Sequence, residues 1–374
     1  MSTKSKNKVI YLTVNDAPSG VYKSQVIDVV DYLNNDFDVN VQLVAFLPVS
    51  GFFSQKRKLK EWNSGMKVYP MFPRLKNWKK TKMIFNLFSP KADKIIARGP
   101  MAFEVAFNGK RKVIYDGRGA VKGELLEYPD MIPDKALVET LIQAEINAVT
   151  KAHHRIAVSK ALVNYWQEEF GFDSKVHKTT VIPCLSTSLK NRVSKVSRAS
   201  FNWDEDDIVL IYAGGAGKWQ AFDRLVDFLS EQLSSNSKIK VLFMAKENEY
   251  INTLKSYFSE QVERSWVKPE EVHSYLSLGD YGILIREENK TNAVASPVKF
   301  GEYLSAGLKI LVSPKLGDYS ALVADKNIGV VVQDFSLASS LRKPSSKEKE
   351  ESKEIAKEYS KERYRKMYQE ILES

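Results

Sequence analysis

The chain has 374 residues, 43% of them apolar, which is enough to form two domains of about 150 to 200 residues with separate cores. It contains one cysteine, Cys184, so no internal disulfide can form, and it has no apolar run near the about 20 residues that span a bilayer. A cytoplasmic protein without a transmembrane helix is therefore expected. The net charge of +10 lies entirely in the first half, because residues 1–185 hold 28 Lys and Arg against 18 Asp and Glu.

Short runs rich in Val and Ile alternate with amphipathic segments in the first half, as in parallel strands joined by crossover helices. The strands are predicted at residues 9–14, 39–46, 94–98, 112–116, 155–159 and 179–183. We therefore predict an N-terminal Rossmann-like domain over residues 1–185. Ligands of such domains bind at the carboxyl ends of the strands.

A basic segment interrupts this pattern between Lys56 and Lys82, with ten basic residues and one acid, Glu61. Aromatic residues are interleaved with the charges: Trp62, Tyr69, Phe72 and Trp78. This mixture suits an anionic membrane surface, and it also suits single-stranded nucleic acid. A solvated, charged loop and helix is the third interpretation.

The polar run at residues 186–203 is predicted to be a linker, after which the same alternation resumes. The second set of strands is predicted at residues 207–214, 240–245, 281–285, 309–313 and 329–332. These segments predict a C-terminal Rossmann-like domain over residues 204–345, facing the first domain across a cleft. A charged helix at 346–374 is expected to pack back toward the first domain along an apolar stripe.

The stretch ASPVKFGEYLSAG, at 295–307, reads as a capped helix. Ser296 is a suitable N-cap, Pro297 suits the first helical position, and Gly307 can end the helix in a left-handed conformation. The apolar residues then share one face, and Glu302 points away from it.

The chemistry of this helix suits a nucleotide. Its first N–H groups, the helix dipole and Lys299 would bind an anion. Glu302, about one turn along, would accept hydrogen bonds from sugar hydroxyls. The alternative is an ordinary surface glutamate beside a well-capped helix.

The sequence SPVKFGEYLSAGLKILVS resembles the donor-binding segment of retaining GT-B glycosyltransferases of glycosyltransferase family 4, which read S-P-x-K-x-x-E-Y-L-A-x-G-x-P-V-I. It departs from that pattern at Ser305 and Lys309. The resemblance implies that one set of residues binds a nucleotide-sugar donor: Ser296, Pro297, Val298, Lys299 and Glu302.

The segment YAGGAGKWQAFDRLVDFL, at 212–229, resembles the same family's strand, glycine-rich turn and helix start. It implies close approach of the backbone to the donor at Gly214 and Gly215, with Lys218 neutralising the leaving diphosphate. The family's arginine is absent from this turn, and its replacement is expected at Arg286, with Lys246 as a second candidate.

One family glutamate is also missing, since Val294 stands where the first of a pair is expected. Glu287 and Glu288 lie in the same loop, but their spacing gives them no support as replacements. The nature of the sugar is therefore left open.

Two first-domain segments extend the resemblance. Gly20, in VNDAPSGVYKSQ, would bring the backbone close to the donor phosphate or the acceptor. VIYDGRGAVKGE resembles a D-x-R-G segment, in which Asp116 would orient an acceptor hydroxyl and Arg118 would bind an anion. An internal pairing of these two residues that holds the loop is the alternative.

The resemblance implies a cytoplasmic, metal-independent retaining glycosyltransferase without a cofactor. It would move a hexose from a nucleoside-diphosphate sugar to a lipid-linked glycan acceptor in surface-polysaccharide biosynthesis, at the inner face of the membrane. His153 and His154 are expected to be structural, and no set of His, Cys or carboxylates has the spacing of a metal site. The alternatives are a non-catalytic nucleotide-sugar- or glycan-binding protein of the same fold and a nucleic-acid-binding α/β protein.

Overall fold

A computed structural model describes residues 7–71, 77–185, 196–215, 217–337 and 340–374. The chain divides into two compact units. The first unit comprises residues 1–185 and 364–374, and the second comprises residues 186–363. Most of the predicted linker, residues 186–195, lies outside the described residues, and the predicted domain bounds stay predictions.

The described part of the first unit contains a seven-stranded parallel sheet with the order β3-β2-β1-β4-β5-β6-β7. Its strands are β1 (Asn7–Val14), β2 (Val39–Pro48), β3 (Lys67–Met71), β4 (Lys94–Arg98), β5 (Val113–Gly117), β6 (His154–Ala157) and β7 (Thr179–Val181). Its helices are α1 (Gly20–Tyr22), α2 (Asp28–Asp36), α3 (Phe52–Trp62), α4 (Trp78–Phe88), α5 (Pro100–Ala106), α6 (Val121–Glu127), α7 (Lys135–Lys151) and α8 (Lys160–Phe170). A π-helical stretch, Lys23–Ile27, joins α1 to α2.

The described part of the second unit contains a six-stranded parallel sheet with the order β10-β9-β8-β11-β12-β13. Its strands are β8 (Ile208–Ala213), β9 (Ile239–Met244), β10 (Val262–Arg264), β11 (Tyr281–Leu284), β12 (Lys309–Val312) and β13 (Gly329–Val331). Its helices are α9 (Phe222–Ser235), α10 (Glu249–Tyr257), α11 (Val272–Leu276), α12 (Lys290–Ala293), α13 (Lys299–Ser305), α14 (Tyr319–Asp325) and α15 (Ser346–Ala356), while α16 (Arg365–Glu373) belongs to the first unit.

Two Rossmann-like α/β units are thus confirmed. In both sheets the strand order runs outward in two directions from a central pair, β1 with β4 and β8 with β11. Buried Val, Ile and Leu side chains fill both faces of the second sheet and form separate cores on its two sides. Helices therefore cover both faces, as a parallel sheet requires.

The charged segment at 346–374 differs from the single helix predicted for it. It forms α15 and α16, and at Ser360 between them the backbone is extended, with φ −87° and ψ 155°. Ile355 and Tyr359 pack in the second unit, whereas Tyr368 and Ile371 are buried in the core of the first. The stripe is therefore apolar as predicted, but its two halves serve different cores.

No helix among the described residues combines the length and apolar character needed to cross a bilayer.

Candidate active site

The carboxyl ends of β8 and β11 form the centre of the candidate site. These strands are neighbours in the sheet, and the chain leaves them toward opposite edges, which opens a crevice beyond their ends. The glycine-rich turn 214–218 follows β8, and Arg286 follows β11 by two residues. The fold therefore brings together two predicted segments that are about 70 residues apart in sequence.

The turn after β8 is held by the buried Tyr212, whose hydroxyl lies within hydrogen-bonding distance of the Gly215 carbonyl and the Gln220 side chain. A Cβ at Gly215 would meet nothing within 4 Å, whereas a Cβ at Gly217 would lie 2.8 Å from the Trp219 ring. The packing of the turn thus requires glycine at 217. The exposed backbone at 215 is open to a ligand.

Lys218 precedes the helix rather than starting it. It opens a 3-10 turn, Lys218–Gln220, and α9 begins at Phe222. Ala221 joins the two with a φ of +44°, in the left-handed region that is costly for a residue with a Cβ. The Lys218 side chain is exposed at the carboxyl edge of the sheet, where it can reach an anion.

Arg286 is positioned by buried polar groups on both sides. Its amide donates to the Ser313 hydroxyl at 3.1 Å, and its guanidinium lies 3.4 Å from the Asn292 side-chain oxygen. Asn292 in turn donates to the Trp219 carbonyl at 2.9 Å and to the Glu287 carbonyl at 3.1 Å. Asn292, only 1% exposed, therefore links the loop after β11 to the turn after β8.

Helix α13 begins later than predicted. It starts at Lys299 with Val298 at the N-cap position, which gives it seven residues, and Ser296 does not cap it. The Ser296 hydroxyl instead bonds to the buried Tyr319 hydroxyl at 2.7 Å. The predicted end is confirmed, since Gly307 has a φ of +85°.

Glu302 and Lys299 form an ion pair on the exposed side of this helix, with side-chain exposures of 13% and 28%. The next residue, Tyr303, is fully buried, and its hydroxyl accepts a hydrogen bond of 2.9 Å from the Ala213 amide at the end of β8. Burial raises the pKa of Tyr303, and Glu302 and Arg286 are both close enough to its hydroxyl to shift that pKa further, in opposite directions. Tyr303 thus ties the helix that carries the ion pair to the end of β8.

The position of the missing family glutamate is closed to a carboxylate. Val294 is 3% exposed, so a glutamate there would lie in the core. The carboxylate of Glu288 is paired with Lys315 at 2.8 Å. Its pairing gives Glu288 no added support as a replacement for the missing glutamate.

Lys246 follows β9 and is exposed. Its ammonium lies 5.6 Å from the centre of the Trp266 ring, over the ring face. This places a cation and an aromatic ring at the carboxyl ends of β9 and β10, beside the turn after β8. Trp266 was not among the predicted site residues.

Asp116, in the first unit, is the second-last residue of β5 and is completely buried. Arg118 forms an ion pair with it at 2.8 Å, the Tyr11 hydroxyl donates to it at 2.5 Å, and Arg98 lies 3.8 Å away. Burial alone would lower the pKa of Arg118, but the Asp116 carboxylate raises it well above its ordinary value. The internal pairing left open by the sequence is therefore present, while the catalytic role of the two residues stays a prediction.

Sequence reasoning missed Arg98, which ends β4 at the switch point of the first sheet and bonds to Asp16 at 3.0 Å. Its position at the end of a predicted strand could have identified it. Gly20 begins α1 behind the capping Ser19, and a Cβ there would meet nothing within 4 Å. Among the described residues of the first unit, no contact requires glycine at position 20.

Within the described residues, one set of carboxylates is close enough to share a cation: Asp204, Asp206 and Asp207. It precedes β8, at the opposite end of the strand from the candidate site, and Lys238 pairs with Asp206 at 2.9 Å. The buried His154 bonds to Thr180 at 2.8 Å, and burial lowers its pKa to about 4. The aspartate set is thus paired with a lysine, and His154 with a threonine, in contacts that belong to the fold.

No protein-family model and no curated protein sequence matches the chain. Solved structures do: sucrose-phosphate synthase from Thermosynechococcus elongatus has a TM-score of 0.70 at 14% identity, over 98% of this chain and 99% of that chain. HepE from Anabaena, solved with UDP and glucose, has a TM-score of 0.69 at 15% identity over 98% and 99%. WaaG, a glycosyltransferase involved in lipopolysaccharide biosynthesis, has a TM-score of 0.61 at 9% identity over 94% and 90%. The chain has the GT-B glycosyltransferase fold.

Proposed function

We propose that this protein is a retaining, metal-independent glycosyltransferase of the family 4 type, which moves a hexose from a nucleoside-diphosphate sugar to a glycan acceptor. One observation carries the proposal: Asn292 and Tyr303 join the turn after β8, Arg286 and the Lys299–Glu302 pair around the switch point of the second sheet. This is where doubly wound sheets bind nucleotides. HepE, which has been solved with UDP and glucose and with UDP-glucose, supports the choice of donor.

The proposed reaction needs positive charge at the switch point of the second sheet, where the diphosphate would bind. Breaking the bond between the sugar and the phosphate leaves a negative diphosphate, and preorganised cations lower the barrier by stabilising that developing charge. Lys218 and Arg286 approach the site from the ends of β8 and β11. We assign them to the diphosphate, with the open backbone at Gly214 and Gly215 allowing close approach.

Glu302 and Lys299 would exchange partners when the donor binds. The Glu302 carboxylate accepts hydrogen bonds from the hydroxyls of the nucleoside's sugar, and the released Lys299 ammonium pairs with the phosphates. The leaving diphosphate then assists deprotonation of the acceptor hydroxyl on the same face of the sugar, which accounts for retention without a protein nucleophile.

The test is donor binding and turnover by the intact chain. A panel of UDP-, ADP- and GDP-sugars is screened for a rise in melting temperature, because a ligand that binds the native state stabilises it. The stabilising donor is then assayed for transfer or hydrolysis. We expect Lys218→Ala to lower kcat by about 100- to 1000-fold, the loss typical of a group that stabilises an oxyanion.

Glu302→Ala should instead raise the donor KM by about 10- to 100-fold, since it removes a hydrogen bond to a charged group. Lys347→Ala, which removes a lysine that is 87% exposed on α15, is the matched control and should leave both constants unchanged. Donor binding without turnover in any assay would indicate a non-catalytic nucleotide-sugar-binding protein. Absence of stabilisation by every donor would refute the proposal.

We further propose that the acceptor is a lipid-linked glycan of surface-polysaccharide biosynthesis, met at an anionic membrane surface by the first unit. Helix α4 supports this, because apolar side chains are exposed beside Lys79 and Lys80: Met83 at 55%, Leu87 at 68% and Phe88 at 63%. Exposed apolar residues flanked by lysines favour insertion at an anionic interface. Residues 72–76 of the basic segment lie outside the described residues.

Sedimentation with vesicles of phosphatidylglycerol and of phosphatidylcholine tests this surface. The wild type should bind the anionic vesicles at low salt, and a Met83→Ser, Leu87→Ser double variant should lose most of that binding. Val176→Ser, at a site 73% exposed in the same unit, is the control. Equal binding to both vesicle types would contradict membrane docking.

A further inference from the structure

Helix α6, in the first unit, begins without a capping side chain of its own. Ala120 stands at its N-cap position, and an alanine side chain has no atom that could bond the free amides of the first turn. Two neighbouring helices supply the partners. The carboxylate of Glu145, on α7, accepts from the Val121 and Lys122 amides at 2.9 and 2.7 Å, one oxygen to each. The hydroxyl of Tyr165, on α8, accepts from the next amide along α6 at 3.1 Å. These three bonds together make up the α6 anchor.

The α6 anchor ends a short loop that carries a predicted site residue. Residues 118–120 join β5 to α6, and Arg118, the first of them, pairs with the buried Asp116 at 2.8 Å. A Cβ at Gly119 would meet nothing within 4 Å, so the middle of the loop has space beside it. The Asp116 pair therefore holds the start of the loop, and the α6 anchor holds its end.

The carboxyl group of the anchor lies where a negative charge is costly, because Glu145 is 0% exposed. The Lys122 ammonium pairs with Glu169 at 2.7 Å. Burial raises the pKa of Glu145 to about 7, although the two amide bonds and the Lys122 charge lower it. The ionisable groups on the elements around Glu145 are Tyr115 on β5, Glu104 on α5, Lys122, Glu124 and Glu127 on α6, and Tyr165 and Glu169 on α8.

We propose that Glu145 makes the loop that carries Arg118 sensitive to pH, because loss of its proton weakens the α6 anchor and lets the loop open more readily. In the open form Glu145 meets water and returns to its ordinary pKa of 4.5, so the anchored form binds the proton more tightly. The proton's contribution to the anchored form is therefore complete below pH 4.5 and is lost as the pH rises through about 7. The two pKa values correspond to about a tenfold shift toward the open loop between pH 6 and pH 8.

The consequence for catalysis rests on the proposed function, under which Arg118 binds an anion. The pH would then set how readily that residue moves when a ligand arrives. The anchor itself is independent of the ligand.

Hydrogen exchange of the intact chain, followed by mass spectrometry on peptides that cover residues 117–127, tests the proposal. After correction for the intrinsic exchange rate, protection of the wild-type segment should fall about tenfold from pH 6 to pH 8. Glu145→Gln keeps one acceptor oxygen but does not titrate, so its protection should be the same at both pH values. Tyr165→Phe removes the third bond of the anchor, and should lower protection at both pH values while keeping the tenfold fall.

Glu139→Gln, at an exposed position on the same helix, is the matched control and should keep the wild-type fall. Peptides of β8, in the second unit, should show no change that depends on Glu145. Equal wild-type protection at pH 6 and pH 8, or the same fall in Glu145→Gln as in the wild type, would overturn the proposal. No sugar nucleotide is present in this experiment, so its failure is separate from a failure of the proposed function, which the donor panel detects.

Discussion

The Tyr303 hydroxyl offers a direct test of how the second unit is assembled. Tyr303→Phe keeps the ring and removes one oxygen, which accepts the Ala213 amide hydrogen at 2.9 Å. Both residues are buried, so no water replaces the lost acceptor. A buried donor left without a partner costs about 1–3 kcal/mol.

This cost sets the expected change in melting temperature. The second unit spans residues 186–363, and for a domain of this size each kcal/mol lowers the melting temperature by about 2–4 °C. Tyr303→Phe should therefore melt about 2–12 °C below the wild type. Thermal unfolding followed by circular dichroism measures the difference.

A second readout separates local from global effects. Tyr303 ties α13, which carries Glu302, to the end of β8, so its loss should also lower donor kcat/KM by about tenfold, equivalent to 1.4 kcal/mol. Tyr250→Phe, at a position 48% exposed in the same unit, should change neither quantity. Melting of Tyr303→Phe at the wild-type temperature would show that the hydrogen bond does not hold the helix in place.

Three further changes test other contacts. A Cβ at Gly282 would lie 2.2 Å from the Tyr303 ring, so Gly282→Ala should lower the free energy of unfolding, measured by urea titration, by about 1–3 kcal/mol. An unchanged urea midpoint would contradict this. Asn292→Ala removes the hydrogen bond to the Trp219 carbonyl and should raise the donor KM by about tenfold, or 1.4 kcal/mol. Asn236→Ala is the control, and an Asn292→Ala variant with the wild-type KM would contradict the role of this hydrogen bond. Burial raises the pKa of Glu145 to about 7 from 4.5, so the native state binds its proton more tightly than the unfolded state does, and the free energy of unfolding should fall by about 2 kcal/mol as the pH rises from 5 to 7.5. Glu145→Gln should remove that slope, and urea titrations of both proteins that give the same slope would contradict the assignment.

All eleven predicted strands were found within two residues of their observed bounds. Nine of them are central strands, which are covered on both faces and appear as apolar runs in the sequence. The two strands that were missed, Lys67–Met71 and Val262–Arg264, are sheet edges, although two other edge strands, Thr179–Val181 and Gly329–Val331, were predicted. Of the missed strands, the first contains Pro70 and the second has three residues, and neither carries a strong apolar pattern.

Part of the candidate site lies in segments with a recognisable sequence pattern. Lys218, Arg286 and the Lys299–Glu302 pair stand beside predicted strand ends or on a predicted helix face, and the structure brings their segments together. Asn292 and Tyr303 were missed as site residues for different reasons. A buried loop amide has no periodicity, and a tyrosine counted as apolar conceals the function of its hydroxyl.

The two ion pairs at the predicted site residues differ in what a ligand must overcome. Lys299 and Glu302 are part-exposed, at 28% and 13%, and such pairs contribute about 0–1 kcal/mol, so a donor can exchange them for its own phosphates and hydroxyls at small cost. Asp116 is 1% exposed in its pair with Arg118, and separating a buried pair costs about 3–5 kcal/mol. One charge-assisted hydrogen bond from an acceptor returns only about 1.5–3 kcal/mol. A role for Arg118 in anion binding therefore requires a ligand that leaves its bond to Asp116 intact, whereas the partner exchange that the proposed function asks of Glu302 costs little.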